Sequence, residues 1–170
     1  IEKISIHDHT TMKKIRDANS VKIFPAKHYI VDDNSRLGAI ESIKRELANW
    51  LPNLPGDLEK QRLASRTKYD LEMIEELGYC SGIENYSRHL DGRAPGQPPY
   101  CLLDFFGQDF LLVIDESHVT LPQLHGMYKG DYTRKRMLVD YGFRLPSAFD
   151  NRPLKFEEFE KYLSNNVIFV

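Results

Sequence analysis

Residues 110–118 read FLLVIDESH, an apolar run that ends abruptly in two acids. The run from Phe110 to Ile114 does not alternate with polar residues, which is typical of a strand buried on both faces of a parallel sheet. In open α/β sheets, ligands collect beyond the carboxyl ends of the strands. Asp115 and Glu116 therefore stand where a binding site is expected.

Helical periodicity precedes this strand. Apolar residues recur every three or four positions across residues 35–50 and again across residues 57–77. The spacing predicts two helices, the first capped by Asn34 or Ser35 and the second ended by Gly78. Trp50 and Leu77 are expected on the buried faces of these helices.

Helices and a strand also follow the acids. We expect a helix that is capped at Asp131, ends at Gly142 and turns Leu138 and Tyr141 inward. A short helix with its apolar face at Phe156, Phe159 and Leu163 comes next, and the chain closes on the apolar strand VIFV. This order favours an α/β layered fold with a parallel sheet.

The segment between the second helix and FLLVID is rich in Gly, Pro and polar residues. We expect surface loops over residues 78–99, with a possible short helix at IENYSRHL, residues 83–90. Arg66 precedes Asp70 by four residues, so the two can form either a partly buried ion pair or a solvated surface pair.

The start of the chain, residues 1–31, has a different pattern. Ile4 and Ile6 alternate with polar neighbours, residues 7–20 suggest a turn or irregular link, and a second strand-like run follows. A boundary between two units is predicted near residues 31–35. His7 and His9 would share one strand face, but no third ligand is nearby, so no metal site is expected there.

Bulk composition excludes some classes. The chain has no apolar run of membrane-spanning length and no secretory signal, which predicts a cytoplasmic protein. Cys80 and Cys101 are too few for a disulfide framework. A net charge of −2 means that any DNA contact needs a local basic patch. Both ends of the chain look cut, since it opens without Met and closes in an apolar run.

The two acids suit nucleotide hydrolysis. Asp115 would help to hold Mg²⁺ through water, and Glu116 would orient or deprotonate the attacking water. The alternative is a strand that simply ends in solvated acids.

Longer motifs resemble a known family. GYCSGIENYSRH at residues 78–89 and GFRLPSAFDNRPL at residues 142–154 resemble UvrB of bacterial nucleotide excision repair, as does VIDESHVTLPQLHGMYKGDYTRKR from residue 113. The resemblance covers nearly the whole chain, in family order. It implies a subunit that binds DNA and couples ATP hydrolysis to damage verification before incision, with UvrA and UvrC as partners.

The resemblance also implies domain and residue roles. Residues 1–31 would be the tail of an inserted UvrA-interaction domain, and residues 32–170 would be part of a RecA-like helicase motor domain. Asp115 and Glu116 would be the Walker B pair for ATP and Mg²⁺, and His118 would complete the catalytic motif with Ser117. The strand ending at Val170 would lie beside the one from Phe110 to Ile114.

One required motif is missing from this chain. A P-loop ATPase needs a GxxxxGK[ST] loop to cradle the phosphates, and the sequence contains none. We therefore expect that the chain by itself neither retains ATP and Mg²⁺ nor hydrolyses ATP. The alternative function is a protein interaction module that docks UvrA without catalysis of its own.

Basic and amide side chains supply candidate DNA contacts. Gln123, Arg134 and Lys135 follow the acidic motif, and Arg88 adds a second basic position. Such residues suit phosphate contacts. A solvated protein face is the alternative for each of them.

Overall fold

The computed structural model of the chain describes residues 3–8, 10–22, 29, 31–107, 109–163 and 166–170. Strands β1 (Ile4–His7) and β2 (Lys14–Ala18) form an antiparallel hairpin in which Ile4 pairs with Ala18. The prediction of a turn or irregular link at residues 7–20 is wrong for residues 14–18, which form β2, whereas a turn does join the two strands. Asp8 stabilises the turn by accepting hydrogen bonds from the N–H groups of Thr10 and Thr11. His9 and most of the second predicted strand lie outside the described residues.

Helix α1 (Asp33–Trp50) begins slightly earlier than predicted. Its cap is Asp32, whose carboxylate accepts from the backbone N–H groups of Asn34 and Ser35, so neither of those residues is the cap. Trp50 packs against the core, as predicted.

Helix α2 (Asp57–Leu77) matches its predicted bounds and ends at Gly78, which has a left-handed φ of 67°. Leu63 and Ile74 are buried on its inner face. Leu77 is 68% exposed, so its predicted burial is wrong. It belongs to the last turn of α2.

The segment after α2 folds into the core. A 3₁₀ turn (Ile83–Tyr86) leads into α3 (Ser87–Leu90), which confirms the short helix. The expectation of surface loops is wrong over these residues, because their apolar side chains complete the core between α1 and α2: Ile83, Tyr86 and Leu90 are buried. Sequence composition signalled the turns but not this packing.

The Arg66–Asp70 pair is buried on its acidic side. Arg66 Nε donates to Asp70 Oδ2 at 3.0 Å, and the side chain of Asp70 is 3% exposed. Tyr86 donates its hydroxyl to the same oxygen at 2.8 Å. The partly buried alternative is therefore confirmed, and Asp70 ties α2 to the 3₁₀ turn.

Strand β3 (Leu111–Ile114) pairs in parallel with β4 (Asn166–Phe169), which confirms the predicted neighbours. The mixed helix and strand class is also confirmed. The prediction that β3 is buried on both faces is wrong for this chain, since Leu111 and Val113 are more than half exposed. The physical reason is that, among the described residues, this sheet has two strands and no layer covering both faces.

Helix α4 (Ser117–Asp140) is continuous, so Asp131 lies inside it and does not cap it. Its buried residues are Lys135 and Val139, whereas Tyr141 just beyond it is 50% exposed, contrary to prediction. A 3₁₀ turn (Pro146–Asp150) then leads to α5 (Phe156–Leu163). No described helix is both long and apolar enough to cross a membrane.

Candidate functional site

The two predicted acids lie at the carboxyl end of β3. Asp115 and Glu116 follow its last residue and lead directly into α4. Strand β4 ends at the same edge, because Val170 donates its N–H to the carbonyl of Ile114 at 3.0 Å. Ser117 in turn donates its N–H to the carbonyl of Val170 at 2.8 Å. Hydrogen bonds thus fix the acids at the rim of a parallel sheet.

Glu116 has an unusual backbone conformation. Its φ of 47° and ψ of 45° lie in the left-handed region, which residues other than glycine rarely adopt. The N–H of Glu116 donates to Asp115 Oδ1 at 2.9 Å, and the hydroxyl of Thr120 donates to the carbonyl of Asp115 at 3.0 Å. Strained backbone of this kind clusters at functional sites.

The acid pair and His118 come together and face solvent. His118 Nδ1 lies 3.5 Å from Glu116 Oε2, and their side chains are 74% and 72% exposed. Among the described residues, no three His, Cys, Asp or Glu side chains group closely enough to hold a metal ion. The oxygen donors of Asp115 and Glu116 nevertheless fit Mg²⁺, which binds through one or two carboxylates and takes its remaining ligands from water and phosphate.

The candidate DNA residues separate into two groups. Gln123 and Arg134 are exposed on α4, and the Arg134 side chain is 68% exposed while it pairs with Asp131. Eleven residues apart in a helix, they lie on one face and roughly 16 Å from each other along the axis. Lys135 is instead buried and Arg88 is largely buried, with side chains 6% and 12% exposed, and both are engaged by protein groups.

Arg88 belongs to a buried cluster that sequence reasoning missed. Its guanidinium donates to Glu46 on α1 at 3.0 Å and to Asp150 at 2.7 Å. Asp150 also accepts the N–H of Gly96, and Glu46 accepts from His89. The partners are 42 and 62 residues from Arg88 in the chain, so no local pattern could reveal them.

The cluster controls the ionisation of Glu46. Burial opposes its charged form, but hydrogen bonds from His89 and the Ser147 N–H, together with the charge of Arg88, outweigh burial and lower the pKa of Glu46. The carboxylate therefore stays ionised and links α1, α3 and the 3₁₀ turn at residues 146–150.

A second buried ion pair holds α5. Arg152 forms two hydrogen bonds to the carboxylate of Glu158, at 2.7 and 2.9 Å. This guanidinium lowers the pKa of Glu158 against the effect of burial. The bidentate geometry ties α5 to the segment that precedes it.

Comparison with known proteins gives consistent matches. Residues 34–92, which contain α1, α2 and α3, match the family described as the UvrB third helical domain. The whole chain is 60% identical to a UvrABC system protein B of Methanosarcina acetivorans, of which it covers 25%. It is 56% identical to that of Latilactobacillus sakei, of which it covers 26%. A third match, in Chloroflexus aggregans, is 59% identical and takes in 96% of the chain and 25% of the relative.

Proposed function

The chain belongs to the UvrABC system protein B family, of whose members it spans about a quarter, and on this premise we propose that it supplies the acidic half of a magnesium–ATP site in a subunit of nucleotide excision repair. The observation that carries the proposal is the position of Asp115 and Glu116 at the carboxyl edge shared by β3 and β4. The phosphate loop, absent from this sequence, would come from the rest of the full-length protein.

Each residue of the acidic motif has a separate task. Asp115 would help to hold Mg²⁺, and Glu116 would orient the attacking water and accept its proton. His118, within reach of Glu116, responds to the charge state of that carboxylate. Bound Mg²⁺ neutralises the phosphate charge. Because Asp115 and Glu116 are open to solvent, the remaining motor segments must close over them to exclude bulk water.

The full-length protein is proposed to bind DNA and to couple ATP hydrolysis to damage verification before incision. It would work in the cytoplasm with UvrA and UvrC. In this proposal, residues 32–170 belong to a RecA-like motor and residues 1–31 to a UvrA-docking domain. The parallel pairing of β3 with β4 supports the first assignment, since RecA-like motors are built on parallel sheets.

The acid pair can be tested by one substitution in the full-length protein. Glu116→Gln keeps the size of the side chain but removes the base, so steady ATP hydrolysis should fall by about 10²-fold or more. Nucleotide binding should persist, because Asp115 and the phosphate loop remain. Glu160→Gln changes an exposed acid on α5 and serves as the control. Unchanged hydrolysis in Glu116→Gln contradicts the assignment.

The isolated chain provides a second test. Without a phosphate loop it should release no phosphate from ATP above the buffer rate. Steady release that Glu116→Gln abolishes would contradict this expectation.

Gln123 and Arg134 are proposed to contact DNA phosphates. Their common exposed face and the charge of Arg134 support this role. Arg134→Ala should weaken single-stranded DNA binding and reduce the salt slope of the binding constant by about 1. A slope equal to that of the unmodified protein removes Arg134 from the interface. DNA contact by Lys135 and Arg88 stays a prediction, and both side chains are already paired inside the protein.

UvrA docking is the second candidate function. The β1–β2 hairpin and the residues after it expose Met12, Ile15 and Val21. Apolar side chains that remain open to solvent suit a protein partner. The two functions separate in a paired assay of UvrA capture and nucleotide titration. Ile15→Lys should reduce capture without changing nucleotide affinity.

A further inference from the structure

Helix α4 connects two parts of the molecule. The helical unit comprises α1, α2, α3 and the 3₁₀ turn at residues 146–150, and the sheet unit comprises β3, β4 and α5. At the start of α4, Ser117 bonds to the end of β4, and the ring of His125 stacks on Phe156 of α5 at 3.5 Å. Further along, Tyr132 stacks on Phe149 of the helical unit at 4.9 Å. The first half of α4 is thus attached to the sheet unit, and its second half is attached to the helical unit.

The middle of α4 contains two glycines. Gly126 and Gly130 lie inside the helix, and a Cβ added at either would meet nothing within 4 Å. Packing within the described residues therefore does not require glycine at these positions. Each glycine costs about 1 kcal/mol of helix stability relative to alanine. The two glycines therefore lower the stability of the helix between its two attachments.

Lys135 fastens the second half of α4. It lies just beyond the two glycines and is 5% exposed, although a lysine is rarely buried. Its Nζ lies 2.7 Å from Asp131 Oδ2 and donates a hydrogen bond to the backbone carbonyl of Asn151. Asn151 follows Asp150, the residue that accepts from Arg88. The ammonium group therefore joins α4 to the buried cluster that reaches α1.

We propose that Lys135 is a positioning residue, whose bond to Asn151 sets the second half of α4 on the helical unit and so relays the nucleotide state of the Asp115–Glu116 end to that unit. This role rests on the proposed function. This positioning role differs from a DNA contact, since the ammonium group is buried and pairs with Asp131. Loss of the bond would leave the acid pair and the exposed DNA face intact. A change of nucleotide state at the acid pair would then no longer affect DNA binding.

The test uses the full-length protein and two ligands, a magnesium nucleotide and a single-stranded oligonucleotide. The quantity measured is the factor by which the oligonucleotide changes nucleotide affinity. Coupling of this kind corresponds to about fivefold or more. Lys135→Met, which keeps the stem but loses the charge, should bring the factor close to one and leave nucleotide affinity measured without DNA within about twofold, a change well below typical coupling. Lys135→Arg should restore the coupling.

Controls distinguish the competing explanations. Lys68→Met alters a lysine that is 80% exposed on α2 and should keep the factor unchanged. A reduced salt slope of DNA binding in Lys135→Met would show a phosphate contact and overturn the positioning role. A lowered melting temperature with an unchanged factor would show a structural role alone and also overturn it. Unmodified protein that binds both ligands without mutual effect refutes the relay but not the proposed function, whereas no nucleotide binding refutes both.

Discussion

Replacement of Arg88 by methionine tests whether this arginine serves the core. Methionine keeps the apolar stem but removes the guanidinium that joins Glu46 to Asp150. The three side chains are 12%, 12% and 8% exposed, so solvent can do little to compensate the two carboxylates. The substitution therefore leaves negative charges facing each other in a poorly solvated space.

The expected cost follows from this geometry. Removal of one partner of a buried ion pair typically costs about 3–5 kcal/mol. Both carboxylates keep other donors, since Glu46 retains the Ser147 N–H and Asp150 retains the Gly96 N–H. We therefore expect the lower end, about 3 kcal/mol. In a chain of this length such a loss lowers the melting temperature by roughly 6–12 °C.

Urea unfolding of the chain, followed by circular dichroism, measures the free energy of unfolding. Arg45→Met is the matched control, because Arg45 is exposed on α1 next to Glu46. Its replacement should change stability by about 0.5 kcal/mol or less. In a double-mutant cycle, Arg88→Met and Glu46→Gln should be strongly non-additive, because they remove the same contact.

Two results would refute this reasoning. A loss of less than about 1 kcal/mol would place Arg88 among surface residues, where substitutions have small effects. Unchanged stability together with a reduced salt slope of DNA binding would restore Arg88 as a phosphate contact. In either case the buried cluster would not hold α1, α3 and the turn at residues 146–150 together.

Three further predictions concern stability. The pKa of Glu46 is lowered from its ordinary 4.5, so its contribution is present above that value and is lost as the pH falls through the lower folded-state pKa. Acid titration should therefore destabilise the unmodified chain more than Glu46→Gln, and equal loss would contradict this. Gly126→Ala and Gly130→Ala should each stabilise by about 1 kcal/mol, as should the control Gly38→Ala in α1. Destabilisation in thermal melts would show close contacts at those sites. Gly142→Ala should destabilise by about 2 kcal/mol or more. The reason is that Gly142 has a left-handed φ of 68°, and that the new Cβ would lie 2.5 Å from the carbonyl oxygen of Glu59. A neutral effect would show that this backbone can move.

Local patterns were sufficient for several elements. Periodicity and Gly78 predicted α2 with its bounds, and the apolar run before Asp115 predicted β3. The resemblance to UvrB predicted that the strand ending at Val170 lies beside it. These features depend on neighbouring residues or on family order, which a sequence contains directly.

Helix α4 was only half predicted, for a physical reason. The local propensity of the sequence disfavours a helix at Pro122, Gly126 and Gly130, and a helix was expected only from Asp131. The continuous helix forms because both of its halves have tertiary partners, Phe156 at one end and Phe149 at the other. Contacts of this kind override propensity and cannot be read from the segment itself.

The burial of Arg88 and Lys135, unlike that of Asp70, was outside the reach of sequence. Arg88 and Lys135 were assigned to DNA by their charge alone, yet their partners Glu46 and Asn151 become neighbours only in the folded chain. The same limit applies to β3, where an apolar run predicts burial, but the described residues cover it only in part. Asp115 and Glu116 were predictable because a strand end and its loop are adjacent in sequence.

Our central proposal is that Asp115 and Glu116 form part of a site for a magnesium nucleotide. The most direct measurement is the rate of ATP hydrolysis by the full-length protein at saturating Mg²⁺, compared between the unmodified form and Glu116→Gln, with nucleotide binding measured in parallel. We expect retained binding with hydrolysis reduced by about 10²-fold or more. Hydrolysis at the unmodified rate in Glu116→Gln would contradict this role.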